Sequence, residues 1–270
     1  MRPNKLVLAA FSLSLLLSLT PSTTSAEVAD PVQPYRAGDL SQVALNILPP
    51  GQGRYLNTAE LVQNQTIGFT PDENVDQREP YASLIQGLAG LTEDNLTDYF
   101  KDASFGVQPG DEGRTYSPRE GVTVIRDTSY NVPHVYGETR EDTMFGAGYV
   151  SAEDRLFMMD VLRHYGRGRL TEFLGPSEAN LAIDCAQNDV ADYTDPELRE
   201  MVENRPPGTD QELAQTAMAD LESYVDGVNA FIQEALLDPR KLPGEYPALQ
   251  KYPKEWKIAD TVAVASLIGG

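Results

Sequence analysis

Residues Gly121 to Gly175, GVTVIRDTSYNVPHVYGETREDTMFGAGYVSAEDRLFMMDVLRHYGRGRLTEFLG, confine the chain to few folds. Alternation from Gly121 to Tyr136 predicts two strands, with Val122, Val124 and Arg126 on one face and Thr123 and Ile125 on the other. The turn falls at Thr128–Asn131, where Asn131 is the residue best able to take a positive φ. Pro133 has no N–H to donate, so the second strand is an edge strand or begins there. Thr139-Arg-Glu-Asp142 is a variant capping box opening a helix that runs to about Tyr165. Phe145, Tyr149, Ala152, Leu156, Met159 and Leu162 recur at spacings of three and four, which predicts one buried stripe. Gly146 and Gly148 each cost about 1 kcal/mol against Ala in a helix interior, and close packing of another backbone is the expected compensation. Gly166 and Gly168 break the helix, Leu170 to Leu174 resumes it and Gly175 ends it.

The rest of the chain reads as further helices between Pro/Gly breaks. A long helix spans about Asp210 to Leu237, with Leu213, Ala217, Leu221, Tyr224, Val225, Val228 and Phe231 on one side. Another begins near Trp256, with Asp260 in its first turns. Upstream, short helices are expected at Thr58–Gln63 (Thr58 as cap), Tyr81–Gly90 and Thr92–Lys101. The stretch Val107–Pro118 carries glycine, proline and charge without apolar periodicity and reads as a linker. Glu197, Glu200 and Glu203, three apart, form a solvated acidic helix face.

The amino terminus reads as a secretory leader over residues 1–26: a basic start, an apolar run from Leu6 to Leu19, and Thr24-Ser25-Ala26 for cleavage. That run is about 14 residues, short of the roughly 20 that span a bilayer. The chain carries a net charge of −20, and removing the leader takes away Arg2 and Lys5 and no acid, giving −22. Such a balance repels phosphate backbones and anionic membranes, which argues against nucleic-acid binding. A single cysteine, Cys185, cannot form an internal disulfide, and with non-basic neighbours it is expected to be buried and inert. One Cys and two His leave no basis for a zinc site. His134 and His164 lack a triad-like context and read as structural, as do Arg126-Asp127 and Asp154-Arg155, each expected to be a fold-fixing pair. Phe157, Met158 and Met159 read as core.

Several spaced blocks carry a family resemblance. Val124-Ile-Arg126-Asp127-Thr-Ser-Tyr-Asn131-Val-Pro133-His134-Val-Tyr136 matches the pattern I-x-R-D-x-x-G-V-P-H-I-Y, with Asn131 for glycine and a turn one residue longer. Gly146-Ala-Gly148-Tyr149-Val-Ser-Ala152-Glu153-Asp154-Arg155-Leu156-Phe-Met158-Met159 matches G-x-G-Y-x-x-A-Q-D-R-L-x-Q-M, with Glu153 and Met158 in place of glutamine. Arg163, the run Gly168 to Gly175, Tyr224-Val-Asp-Gly227-Val-Asn229-Ala-Phe231, and Trp256 with Asp260 continue it in order. The segment resembles the α chain of the penicillin acylase (penicillin amidase) family of N-terminal-nucleophile hydrolases.

The resemblance implies an α+β fragment of a four-layer αββα sandwich, mostly helical here with a β hairpin near 121–137. It divides the chain into the leader at 1–26, an acidic extension with short helices at 27–116, and an α-chain-like segment at 117–270. It further implies a secreted or periplasmic amidase made as an autoproteolytic precursor. Its β chain would begin with the serine nucleophile and would be the partner of this segment. The substrate would be a small acyl amide, such as a β-lactam antibiotic side chain or an acyl-homoserine lactone. Calcium is a cofactor the resemblance allows only in the complete enzyme. No residue of this chain takes a catalytic, cofactor or metal role: Ser266 lies inside a helix and not after a glycine, and the nucleophile is expected beyond Gly270. The segment alone is expected to be inactive. The other reading is a non-catalytic secreted binding protein that keeps the same α-chain shape.

Overall fold

The computed structural model describes residues 56–71, 78–102, 104–129, 131–203 and 210–269, with Asp39, Leu45–Asn46 and Gly208. The expected leader lies outside the described residues, and all that follows concerns the body Pro31–Gly270. In chain order the elements are β1 (Leu45–Asn46), α1 (Thr58–Ile67), α2 (Arg78–Gly87), β2 (Lys101–Asp102), β3 (Glu112–Tyr116), β4 (Val122–Asp127) and β5 (Pro133–Gly137). Then follow α3 (Arg140–Gly166), α4 (Leu170–Leu174), α5 (Glu178–Ala191), α6 (Asp195–Glu203), α7 (Gln211–Leu237), α8 (Glu245–Ala248) and α9 (Ile258–Gly269). The architecture is α+β and mostly helical. No helix among the described residues is long and apolar enough to cross a membrane.

The hairpin forms where alternation predicts it. β4 and β5 pair antiparallel from Val122↔Gly137 to Arg126↔Pro133, so Pro133 opens the strand and its missing N–H costs no ladder bond. Asn131 stands at φ 57°, the left-handed geometry its short amide side chain tolerates. Both faces of β4 are covered: Val122 and Val124 enter the main core, and Ile125 packs with Val107 and Tyr136. The sheet also has a third strand. β3 pairs with β4 through Thr115↔Ile125 and Tyr116↔Val124, across a register shift, so the stretch expected as a linker is partly strand. Its pattern hid it because Glu112, Arg114 and Thr115 all face solvent, leaving no apolar period to read.

Thr139 caps α3, its hydroxyl accepting from the Asp142 N–H at 3.1 Å, while Asp142 turns back to the Thr139 hydroxyl at 2.7 Å. Phe145, Tyr149, Ala152 and Leu156 are buried as the spacing predicts, but so are Val150, Asp154, Asp160 and Arg163. α3 is therefore a central helix covered on more than one side, not one with a single stripe. It departs from helical geometry at Arg155 (φ −139°, ψ 17°). Its main packing partner is α7, and Gly148 permits that approach, since a Cβ there would meet the Tyr224 backbone. Gly146 serves differently from expectation: a Cβ there would strike the Val135 and Val122 side chains, so the close neighbour is the sheet's side-chain layer and not a second backbone.

In α7 the buried set is Val225, Val228, Phe231, Ile232 and Ala235. Leu213, expected on that stripe, is 65% exposed, and the buried residues of α7 all lie from Val225 onward. α1 is capped by Asn57 rather than Thr58: Asn57 Oδ1 accepts from the Glu60 N–H at 2.9 Å, and Glu60 Oε2 accepts from the Asn57 N–H at 3.0 Å. The Thr58 hydroxyl instead donates to the Leu242 carbonyl. Thr58 N–H also donates to Leu242 O, and Gly244 N–H to Leu56 O, which tie the start of α1 to the connection after α7. The segment expected at Thr92–Lys101 is a 3-10 turn, Glu93–Asp98, ending in β2. Glu197, Glu200 and Glu203 are exposed along α6.

Candidate functional site

The charged residues that stand out in the sequence meet at two centres, with partners other than their sequence neighbours. At the first, Arg126 comes from β4, and Glu153 and Asp154 come from the middle of α3. Arg126 Nη2 lies 2.6 Å from Glu153 Oε2 and 2.8 Å from Asp154 Oδ1, and Nη1 donates to Asp154 Oδ2 at 3.3 Å and to the Asn131 carbonyl at 3.0 Å. Arg114 on β3 adds a 2.5 Å contact to Glu153, and the Tyr116 hydroxyl donates to the same carboxylate. Asp154 thus pairs across space with Arg126, not with Arg155, whose guanidinium donates to the Asp154 carbonyl at 2.9 Å. Asp127 likewise faces His134 Nε2 at 3.1 Å rather than Arg126.

These contacts decide the protonation states. Burial works to raise the Glu153 carboxyl, but Arg126, Arg114 and the Tyr116 hydroxyl together hold it below the usual carboxylate range. Burial disfavours the Arg126 cation, and Asp154 and Glu153 overcome it, keeping the guanidinium charged. At Asp154 the balance tips the other way: burial pushes the carboxyl up by more than Arg126 pulls it down. Asp154 and Glu153 therefore share the Arg126 charge. Glu153 stands where the resemblance pattern has glutamine, a departure that by itself names no partner.

This centre borders a cavity of about 330 Å³. Leu156 and Phe231 line it from α3 and α7, Asn57 and Pro243 from the α1 junction, and Arg240 and Lys241 from the connection after α7. Those last two cations carried no signal in the sequence, because neither lies in a spaced motif.

The second centre joins α3 to α9. Arg163 Nε lies 2.5 Å from Asp160 Oδ1, Arg163 Nη1 donates to Asp260 Oδ2 at 3.1 Å, and Arg167 Nη1 donates to Asp260 Oδ1 at 2.7 Å. Arg167 also pairs with Asp195, and the Tyr246 hydroxyl donates to Asp160. Burial pushes the Asp160 carboxyl up despite Arg163. Asn229 fixes the chain entering α9, accepting from the Trp256 N–H at 2.7 Å and donating to its carbonyl at 2.9 Å. Arg163 sits over the Trp256 ring, 4.9 Å from its centroid. The distant motif blocks are thus brought together as a scaffold.

His164 has Nδ1 2.6 Å from the Asp160 carbonyl and stacks on Phe173 at 4.4 Å. Cys185 is exposed on α5, contrary to the expected burial, because the buried side chain of that turn is its neighbour Asp184. Asp184 accepts from the Leu170 and Thr171 N–H groups at 2.6 and 2.8 Å, capping α4. Phe157 and Met159 pack against the core, whereas Met158 is exposed. Among the described residues no group of three or more His, Cys, Asp or Glu is placed to hold a metal. The clustered carboxylates Glu153, Asp154, Asp160 and Asp260 are paired with arginines.

A sequence model described as penicillin amidase matches residues 121–270. The chain is similar to penicillin G acylase of Escherichia coli, 28% identical over 144 residues, covering 53% of this chain and 16% of that protein. It is similar to the acyl-homoserine lactone acylase QuiP of Pseudomonas aeruginosa, 31% identical over 187 residues, covering 68% of this chain and 20% of that protein. The chain thus spans about a fifth or less of the length of these relatives. A solved penicillin G acylase from Alcaligenes faecalis superposes with a TM-score of 0.45 at 26% identity, over 57% of this chain and 72% of that one.

Proposed function

The chain belongs to the penicillin amidase family, and from that premise we propose that it forms the helical scaffold of a secreted acyl-amide hydrolase. Its relatives include penicillin acylases and acyl-homoserine lactone acylases, so the target is an amide between an acyl group and a small amine. One observation carries the reading: the matched segment 121–270 runs from β4 to α9, and its motif residues bind one another. Arg126 holds Asp154, Asn229 holds Trp256, and Asp260 holds Arg163 and Arg167. Residues used this way position chemistry without performing it.

In this reading the reaction belongs to a β chain of the same precursor. Its amino-terminal serine attacks the amide carbonyl, its own α-amino group acts as base, and fixed hydrogen-bond donors hold the oxyanion. A relative named a proenzyme supports a processed precursor. The leader at 1–26, the extension at 27–116 and the α-chain-like segment at 117–270 belong to the same proposal.

The test is to express the complete reading frame and examine the secreted product by mass spectrometry and with a chromogenic phenylacetyl anilide. Two chains and turnover are expected, with no turnover from purified residues 27–270. A single uncut chain that hydrolyses no acyl amide would leave the non-catalytic binding protein as the better reading.

A further inference from the structure

We propose that residues 56–116 act as a permanent strap, which locks the β4–β5 hairpin and the connection after α7 in place and is retained in the working protein instead of being shed as a prosegment. The hairpin supplies the first reason. On the face turned away from the main core, Ile125 and Tyr136 form a separate buried cluster with Val107, which is 2% exposed. The cluster has three members, so withdrawing Val107 opens the other two to water. The Tyr136 hydroxyl also donates to Asp39, further upstream, at 2.8 Å, and Gly106 makes room for that residue, since a Cβ there would strike the Asp39 side chain.

The edge and the turn of the hairpin are held as well. β3 takes up the side of β4 that β5 leaves open, and without it the ladder groups of a buried strand would lose their partners. Gly113 lets the two backbones approach where the register shifts, since a Cβ there would lie 2.6 Å from the Arg126 carbonyl oxygen. At the turn, the Thr128 N–H donates to the Asp111 carbonyl at 2.9 Å, and the Ser129 hydroxyl donates to the Asp111 carboxylate at 2.9 Å. Arg114 and Tyr116 meet Glu153 of α3. They bring that centre to two guanidiniums against two carboxylates, where Arg126 alone would face both.

The other anchor lies on a different part of the fold. The Thr58 N–H donates to the Leu242 carbonyl, the Leu56 carbonyl accepts from the Gly244 N–H, and a Cβ at Gly244 would lie 2.8 Å from the Leu61 side chain. A segment attached at β4, at α3 and beyond α7 opens only with them, as one cooperative piece. Its removal would open a buried cluster, bare a ladder edge and strip a carboxylate of a counter-charge at once, so the folded chain keeps it. The inference does not depend on the hydrolase reading.

The test is hydrogen–deuterium exchange read by mass spectrometry on the complete protein. The parent is compared with Val107→Ala and Gly113→Ala, which loosen the strap at two separate contacts. Amides of residues 122–137 are expected to exchange about tenfold or more faster in both variants, while those of α5, which packs on α3 and α4, stay within about twofold. The intact mass of the working protein is expected to include residues 56–116. A working chain that begins beyond residue 116, or hairpin exchange unchanged in either variant, would overturn the proposal. So would equal acceleration in α5, which would show a general loss of stability in place of a local lock.

Discussion

Gly148 and Gly227 face one another where α3 crosses α7. A Cβ on Gly148 would lie 2.0 Å from the Tyr224 carbonyl oxygen, and one on Gly227 would lie 2.0 Å from the Phe145 carbonyl oxygen. Each glycine admits the backbone of the other helix. Gly148→Ala would gain about 1 kcal/mol of helix propensity, but the clash is with backbone on a second helix, at the upper end of the roughly 1–3 kcal/mol that overpacking costs. Gly148→Ala and Gly227→Ala are each expected to lower the urea midpoint clearly. A raised midpoint in either would show that the crossing is looser than this.

Arg126 compensates two carboxylates, and its loss is expected to be the costliest single change in the sheet. Arg126→Met strands Glu153 and Asp154 in a buried site, at about 3–5 kcal/mol. Glu153→Gln removes one charge but leaves Asp154 on the arginine, and should cost about 1–2 kcal/mol. The check is chemical denaturation of both variants. Equal losses would mean that Arg126 is held by Glu153 alone.

How much of this was legible depends on how local the cause is. The positive φ of Asn131, the cap at Thr139 and the edge position of Pro133 follow from a few adjacent residues, and all three stand as read. The paired charges do not. Arg126 and Asp127 are neighbours on a strand, where successive side chains point to opposite faces, so each found a partner elsewhere. Asp154 and Arg155 are neighbours on a helix, where adjacent positions do not face each other. β3 was invisible because it is held by backbone pairing and charge rather than by an apolar period. Cys185 was misread because a residue type's average burial says nothing about which face of α5 it occupies.

His164 gives the stability a pH dependence. Burial lowers its pKa below the ordinary imidazole value of 6.5, more than the Asp160 carbonyl and carboxylate raise it. The unfolded chain then binds more protons than the folded one between the folded pKa and 6.5. The stabilisation is present above 6.5 and is lost as the pH falls through the folded value. Denaturation at pH 7.5 and at pH 5 should show the loss in the parent, and His164→Gln should reduce the difference. An unchanged difference would assign the slope to the carboxylates instead.

Asn229 joins motif blocks that are 27 residues apart, accepting from the Trp256 N–H and donating to the Trp256 carbonyl. Both backbone groups belong to the segment that leads into α9, so the amide orients the helix that carries Asp260. Asn229→Leu keeps the approximate volume and removes both bonds, at a cost of about 1–3 kcal/mol for the stranded groups. Asn229→Asp keeps the acceptor for the Trp256 N–H but sets a carboxylate against the Trp256 carbonyl, and should also be destabilising. Because Arg163 stacks on the Trp256 ring, the indole fluorescence of the folded state, from the chain's single tryptophan, is expected to shift in both variants. Unaltered emission together with an unaltered melting temperature would show that the hydrogen-bonded clamp does not position α9.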